Sequence, residues 1–132
     1  MVWIGTFNCH HSHAAFGGQQ QFWRHHMVVF PRTSVQIKMI GHEAIIGSPN
    51  LAIFYNHKTL YERQRLQDAR DRCDFFQFCP TLLHEILALY DPKSQDRWLT
   101  PFNFTHAFVS RDNFICQRQL VDAILRRERV DM

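Results

Sequence analysis

Val35, Ile37 and Met39 alternate with Gln36 and Lys38. That two-residue period sends one set of side chains to a core and the other to water, as in a half-buried strand. The same period runs loosely through Val2–Phe7. It returns in Thr59–Leu66, where Leu60, Glu62, Gln64 and Leu66 share one side and Tyr61, Arg63 and Arg65 the other. His26–Phe30, stopped by Pro31, and Leu51–Tyr55 are short unbroken apolar runs, the pattern of buried central strands. Gly17, Gly18 and Gln19–Gln21 form a polar break. Gly41-His42 reads as a tight turn into Glu43–Ile46, and Gly47-Ser48-Pro49-Asn50 as a second turn. Asp68–Arg72 reads as a charged hairpin loop before the β-favouring run Cys73–Cys79. Seven short strands at this spacing predict a sandwich or barrel.

The period then changes. Pro80-Thr81 is a helix start, and Leu82, Leu83, Ile86, Leu87 and Tyr90 recur at helical spacing until Asp91-Pro92 stops them. Lys93–Asn103 reads as a loop carrying Trp98 and Phe102, and Phe104–Val109 as a last short strand. Ser110 is an N-cap for a helix running to about Arg129, with Phe114, Val121, Ile124 and Leu125 as its apolar face. Arg118, Arg126, Arg127 and Arg129 occupy its other sides, the last three suiting the negative end of the helix dipole. Such a helix either packs on its own sandwich or serves a partner. The expected division is a sandwich over 1–109, with a helix at about 81–90, and a terminal helix over 110–132 for dimerisation or as a linker to a further domain.

Composition narrows the class. With 132 residues there is room for one core, and 12 Phe and 3 Trp supply bulky filling that a disordered chain lacks. No apolar run approaches the length of a membrane span, and no basic segment precedes a long apolar one at the N-terminus, so a cytoplasmic protein is expected. In that setting Cys9, Cys73, Cys79 and Cys116 are expected as buried thiols. A formal charge of +3 is too weak to imply nucleic-acid binding across the whole surface. Arg63, Arg65, Arg70 and Arg72 are interleaved with Glu62, Asp68, Asp71 and Asp74, which reads as a solvated hairpin with surface ion pairs.

An ordered set of pieces lies between about His25 and Leu87. It begins with His26-Met27-Val28-Val29-Phe30-Pro31-Arg32. The turn and aromatic strand Ser48-Pro49-Asn50-Leu51-Ala52-Ile53-Phe54-Tyr55-Asn56 follow. Tyr61 then opens a strand, Cys73 leads to Phe78-Cys79-Pro80, and a helix starts at Leu82-Leu83. In this order the pieces resemble the N-terminal, cupin-like sensing domain of AraC-type transcriptional regulators. Thr33-Ser34 stands where the family commonly has a Gly after the Arg, and Thr59-Leu60 where it commonly has Gly-Glu before Tyr61. The resemblance implies a mainly β, cupin-like double-stranded β-helix sandwich that senses a small molecule or dimerises. It also implies two following helix-turn-helix units that the 132 residues do not contain, so the chain is expected to be part of a longer bacterial regulator. A homodimer, an unidentified small-molecule effector and DNA contact only through that further domain complete the expectation.

Two kinds of chemistry compete for the site. A pocket inside the sandwich would use His26, Phe54, Tyr61 and Phe76, all on predicted strands. A metal site would draw on the cluster Cys9, His10, His11 and His13 with His26 and Cys73, zinc being the ion that suits thiolate and imidazole. The chelating set would be Cys9, His13, His26 and Cys73. Its spacing matches no closed zinc motif, and no cofactor is expected. The alternative function is a stand-alone metal-binding cupin enzyme, an oxygenase or isomerase. Its His-x-His pair, His11-Ser12-His13, is followed by no carboxylate at the needed place. No Ser-His-Asp arrangement or phosphate loop is visible, so the chain reads as a non-enzyme.

Overall fold

The unbroken apolar runs at residues 26–31 and 51–55 form the middle of a sheet that is covered on both faces. A computed structural model describes residues 2–9, 19–21, 25–66 and 71–130. Its strands are β1 (Val2–Cys9), β2 (Gln19–Gln21), β3 (His26–Pro31), β4 (Val35–Met39), β5 (Ile45–Gly47), β6 (Leu51–Tyr55), β7 (Leu60–Arg65), β8 (Asp71–Phe78) and β9 (His106–Phe108). Two helices, α1 (Pro80–Tyr90) and α2 (Arg111–Val130), follow β8 and β9, with a 3₁₀ turn at Pro92–Asp96. One sheet has the order β1-β8-β3-β6-β9, the other β2-β7-β4-β5, and every pairing is antiparallel. The expected cupin-like β-sandwich is what the chain forms.

Side-chain alternation sorts the apolar residues into two clusters. Met27, Val29, Ile53 and Tyr55 of the first sheet meet Val35, Ile37, Met39 and Tyr61 of the second, and this is the core of the sandwich. On the back of the first sheet, Val28 and Ala52 pack with Leu83 of α1 and with Phe102, flanked by Phe30, Phe54, Phe78, Leu87 and Val109. The back of the second sheet carries Lys38, Glu62 and Gln64 in water. Hence β3 and β6 read as continuous apolar runs while β4 alternates: the first have a layer on each side, the second on only one.

Local chemistry sets the helix boundaries. Pro80 stands at the start of α1, where its missing N–H costs nothing. The N–H of Asn113 donates to the Ser110 hydroxyl at 3.2 Å, as the N-cap reading of Ser110 requires. The buried face of α1 is Leu83 and His84, and Tyr90, read from its spacing as apolar-face, is exposed. Asn56, just after β6, holds the 97–105 crossover with two bonds of 2.9 Å, donating to the carbonyl of Phe102 and accepting from its N–H.

Three expectations need correcting. The polar break contains β2, which pairs Gln19–Gln21 with Glu62–Leu60; a glutamine run has no apolar phase to announce a strand. Asp71 and Arg72 belong to β8 rather than to a hairpin loop, the remaining residues of which, 68–70, lie outside the described residues. Among the described cysteines, Cys116 is exposed and Cys79 half-buried, so only Cys73 approaches the buried thiol expected of all four.

Ile53, with 0% exposure at the centre of the first sheet, measures the sandwich core. Ile53→Ala is expected to cost about 2–5 kcal/mol, read as a lowered midpoint in guanidinium unfolding with the slope unchanged.

Candidate functional site

Between the two sheets the core is incomplete. A cavity of about 280 Å³ lies among Met27, Val29, Val35, Ile37, Tyr55 and Tyr61, and Phe7, Cys73, Phe75 and Gln77 also line it. Pro31, Arg63 and Asp71 complete the lining. Arg63 comes from β7 in the second sheet and Asp71 from β8 in the first, so their 2.5 Å ion pair bridges the sheets. Both are nearly enclosed, at 11% and 5% exposure. The Arg63 guanidinium also lies over the Phe7 ring, 4.9 Å from its centroid.

Burial dominates the electrostatics of this site. It pushes the Cys73 thiol and the Tyr61 hydroxyl each up to about 12, and the Tyr55 hydroxyl well above its ordinary value. Thiol and phenols are therefore neutral hydrogen-bonding groups at physiological pH. Burial also raises Asp71, against the opposing pull of Arg63.

Cavity space depends on a residue with no side chain. Gly5 on β1 stands opposite Phe75 on β8, and a Cβ at Gly5 would lie 2.5 Å from Cζ of the Phe75 ring. The ring rests in the notch that the glycine leaves.

The sequence-based pocket set is divided between the inter-sheet cavity and the back of the first sheet. Tyr61 lines the cavity. Phe76 faces the other way, edge-on to Phe30 at 5.5 Å beneath α2, and Phe54 packs with Phe102 and Phe104 at 5.2 and 4.7 Å. His26 is also on the back, 2% exposed, where its Nδ1 accepts the backbone N–H of His57 at 2.9 Å. Its ring is edge-on to His57, His84 and Phe102 at 6.3–6.4 Å. His84 in turn stacks on Trp98 at 4.0 Å and donates from Nε2 to the Trp98 carbonyl at 2.9 Å. Desolvation, aided by the neighbouring imidazoles, lowers the His26 pKa from 6.5 to about 4.

The metal set is likewise not assembled. His13 lies outside the described residues, as does the side chain of Cys9. His26 pairs with Phe78 and Cys73 with Pro31, so they sit five residues apart along β3, about 16 Å, on opposite faces. Among the described residues no three His, Cys, Asp or Glu side chains are grouped to hold a metal ion.

Arg63 and Asp71 are the site residues that the sequence reading missed, having placed both in a solvated hairpin. The signal was present for Arg63, which shares its side of β7 with the buried Tyr61.

On the back of β8, Asp74 is fully buried and accepts from Nη1 of Arg118 on α2 at 2.5 Å, with Arg32 at 3.9 Å. Arg118 also reaches Asp122 one turn on, at 3.1 Å. Val121 is 1% exposed, so this member of the expected dimer stripe is spent on the chain's own fold. Ile124 and Leu125 are half-buried, and Phe114, with Ile115 and Leu120, remains largely outside.

Two solved structures share this architecture. One is the apo form of a point variant of ToxT from Vibrio cholerae strain SCE256, with a TM-score of 0.64 and 4% identity over 92% of this chain. The other is ToxT from Vibrio cholerae, with a TM-score of 0.61 and 7% identity over 91%. At such identities the likeness is one of fold. The chain spans about half the length of these ToxT structures, 47% in each case. No family model matches the sequence, and no curated protein matches it significantly. Among the described residues no helix is long and apolar enough to cross a membrane.

His26 gives the fold an acid limit. Its neutral form is held in the folded chain down to about pH 4, whereas the unfolded chain takes up the proton near pH 6.5. Between these values the unfolded state binds more protons, so stability present above pH 6.5 is lost as pH falls towards 4. The loss is expected to be about 2–3 kcal/mol by pH 4.5. Urea titrations of wild type and His26→Asn should show it as a slope that the variant lacks.

Proposed function

We propose that the domain senses a small-molecule effector, bound between its sheets, on behalf of an AraC-type transcriptional regulator. The observation that carries the reading is the inter-sheet cavity, apolar for most of its lining and furnished with one ion pair and two phenols. A cavity just below the usual volume range of ligand sites, with a few polar groups converging in it, has the make-up of such a site. The fold supports the same reading, because ToxT is an AraC-family regulator with a cupin-like N-terminal domain. The non-enzymatic assignment belongs to this proposal, as does a cytoplasmic location.

Transmission would run through β8. Cys73, Phe75 and Gln77 face the cavity while Asp74 and Phe76 face α2. A ligand that presses on the first set shifts the strand that holds the second, and with it the population of α2 arrangements. DNA contact would be made by helix-turn-helix units elsewhere in the regulator, and the exposed Phe114, Ile115 and Leu120 of α2 would serve a homodimer.

Thermal-shift screening of the 132-residue chain against a library of small metabolites tests this. A ligand at a hundredfold excess over its Kd should stabilise by about 2.7 kcal/mol, several degrees in Tm. Val35→Phe, which fills the cavity, should abolish the shift. A library that shifts nothing, or shifts that Val35→Phe leaves intact, would refute the proposal.

A further inference from the structure

Among the described residues lining the cavity, the ionised groups are Arg63 and Asp71, and they neutralise one another. Tyr55, Tyr61 and Cys73 add no charge at neutral pH, since burial holds each protonated. The pair sits towards one end of the space. Asp71 and Gln77, both lining residues of β8, are six positions apart, about 20 Å. Away from the pair the walls are Met27, Val29, Ile37, Tyr55 and Phe75.

Resting on the sensing role proposed above, we infer that the cavity selects an uncharged effector: an apolar, preferably aromatic body bearing one group that both accepts and donates hydrogen bonds. A primary carboxamide is the simplest such group. Its carbonyl faces the guanidinium and its N–H the carboxylate, so the charge balance of the pair is preserved. A carboxylate ligand would leave two anions against one cation at a nearly enclosed pair, and an amine would leave two cations against one anion. A buried charge without a countercharge is strongly penalised by its lost hydration. The Phe7 ring over Arg63 holds the guanidinium in place, so that the cation does not swing out to meet an incoming anion. The Arg63–Asp71 pair thus acts as a filter on ligand charge.

Three probes of one shape read the filter directly: 1-naphthamide, 1-naphthoate and 1-naphthylmethylamine, each titrated into the wild-type chain at pH 7 by calorimetry. Naphthamide is expected to bind at least tenfold more tightly than either charged probe, and Val35→Phe to abolish its binding. Asp71→Asn removes the countercharge of Arg63 and should turn the order, so that naphthoate binds at least tenfold more tightly than naphthamide. The wild-type ranking stands whether or not that variant folds. Naphthoate binding as tightly as naphthamide in the wild type overturns the inference and leaves the sensing role in place. If no probe binds while library compounds still give a Val35-dependent thermal shift, the inference alone fails. Silence in both assays removes the sensing role as well.

Discussion

Burial on both faces of one five-stranded sheet is the constraint on which the rest of the molecule depends. Towards the second sheet it presents Met27, Val29, Ile53 and Tyr55; towards the helices it presents Val28, Ala52 and their aromatic neighbours. Each fully buried Val, Ile, Leu, Met or Phe on either face adds a burial increment of about 1.5–3 kcal/mol, so neither layer is decoration on the other. Without the helical layer, the back of β3 and β6 would be an exposed apolar surface. Without the second sheet there would be no cavity.

Two ion pairs stand on opposite sides of the same strand. Arg63–Asp71 joins the sheets on the cavity side of β8, and Arg118–Asp74 joins the strand to α2 behind it. A buried pair of this kind adds little net stability, because desolvation offsets most of the attraction, yet losing one partner is costly. The pairs therefore act more as registers than as glue. Each fixes where an element sits, and together they place the cavity and α2 in contact with one strand.

How far the sequence revealed this depended on whether the signal was local. The alternation in β4, the apolar run of β6, the proline at the start of α1 and the Ser110 cap are properties of a few neighbouring residues, and all were legible. The facing of His26, Phe54 and Phe76 was not. A run in which every position is apolar carries no phase, so nothing in it says which residues look into the sandwich and which look back towards the helices. Arg63 and Asp71 were misread for a related reason: their burial is created by two sheets closing on each other. For α2, the amphipathic stripe showed that one face would be covered and was silent on what would cover it, and Val121 turned out to be buried within the chain's own fold.

Gly5 carries a consequence for how this fold diversifies. Because the Phe75 ring occupies the space that a β-carbon there would claim, the interior volume is regulated from an outer-strand position that itself contributes no atom to the lining. Adding a methyl group at that position would lever the ring inward and shrink the chamber, with the pair that screens ligand charge left untouched. Capacity and charge preference are thereby set by separate residues, so evolution can retune the size of the guest without renegotiating its chemistry.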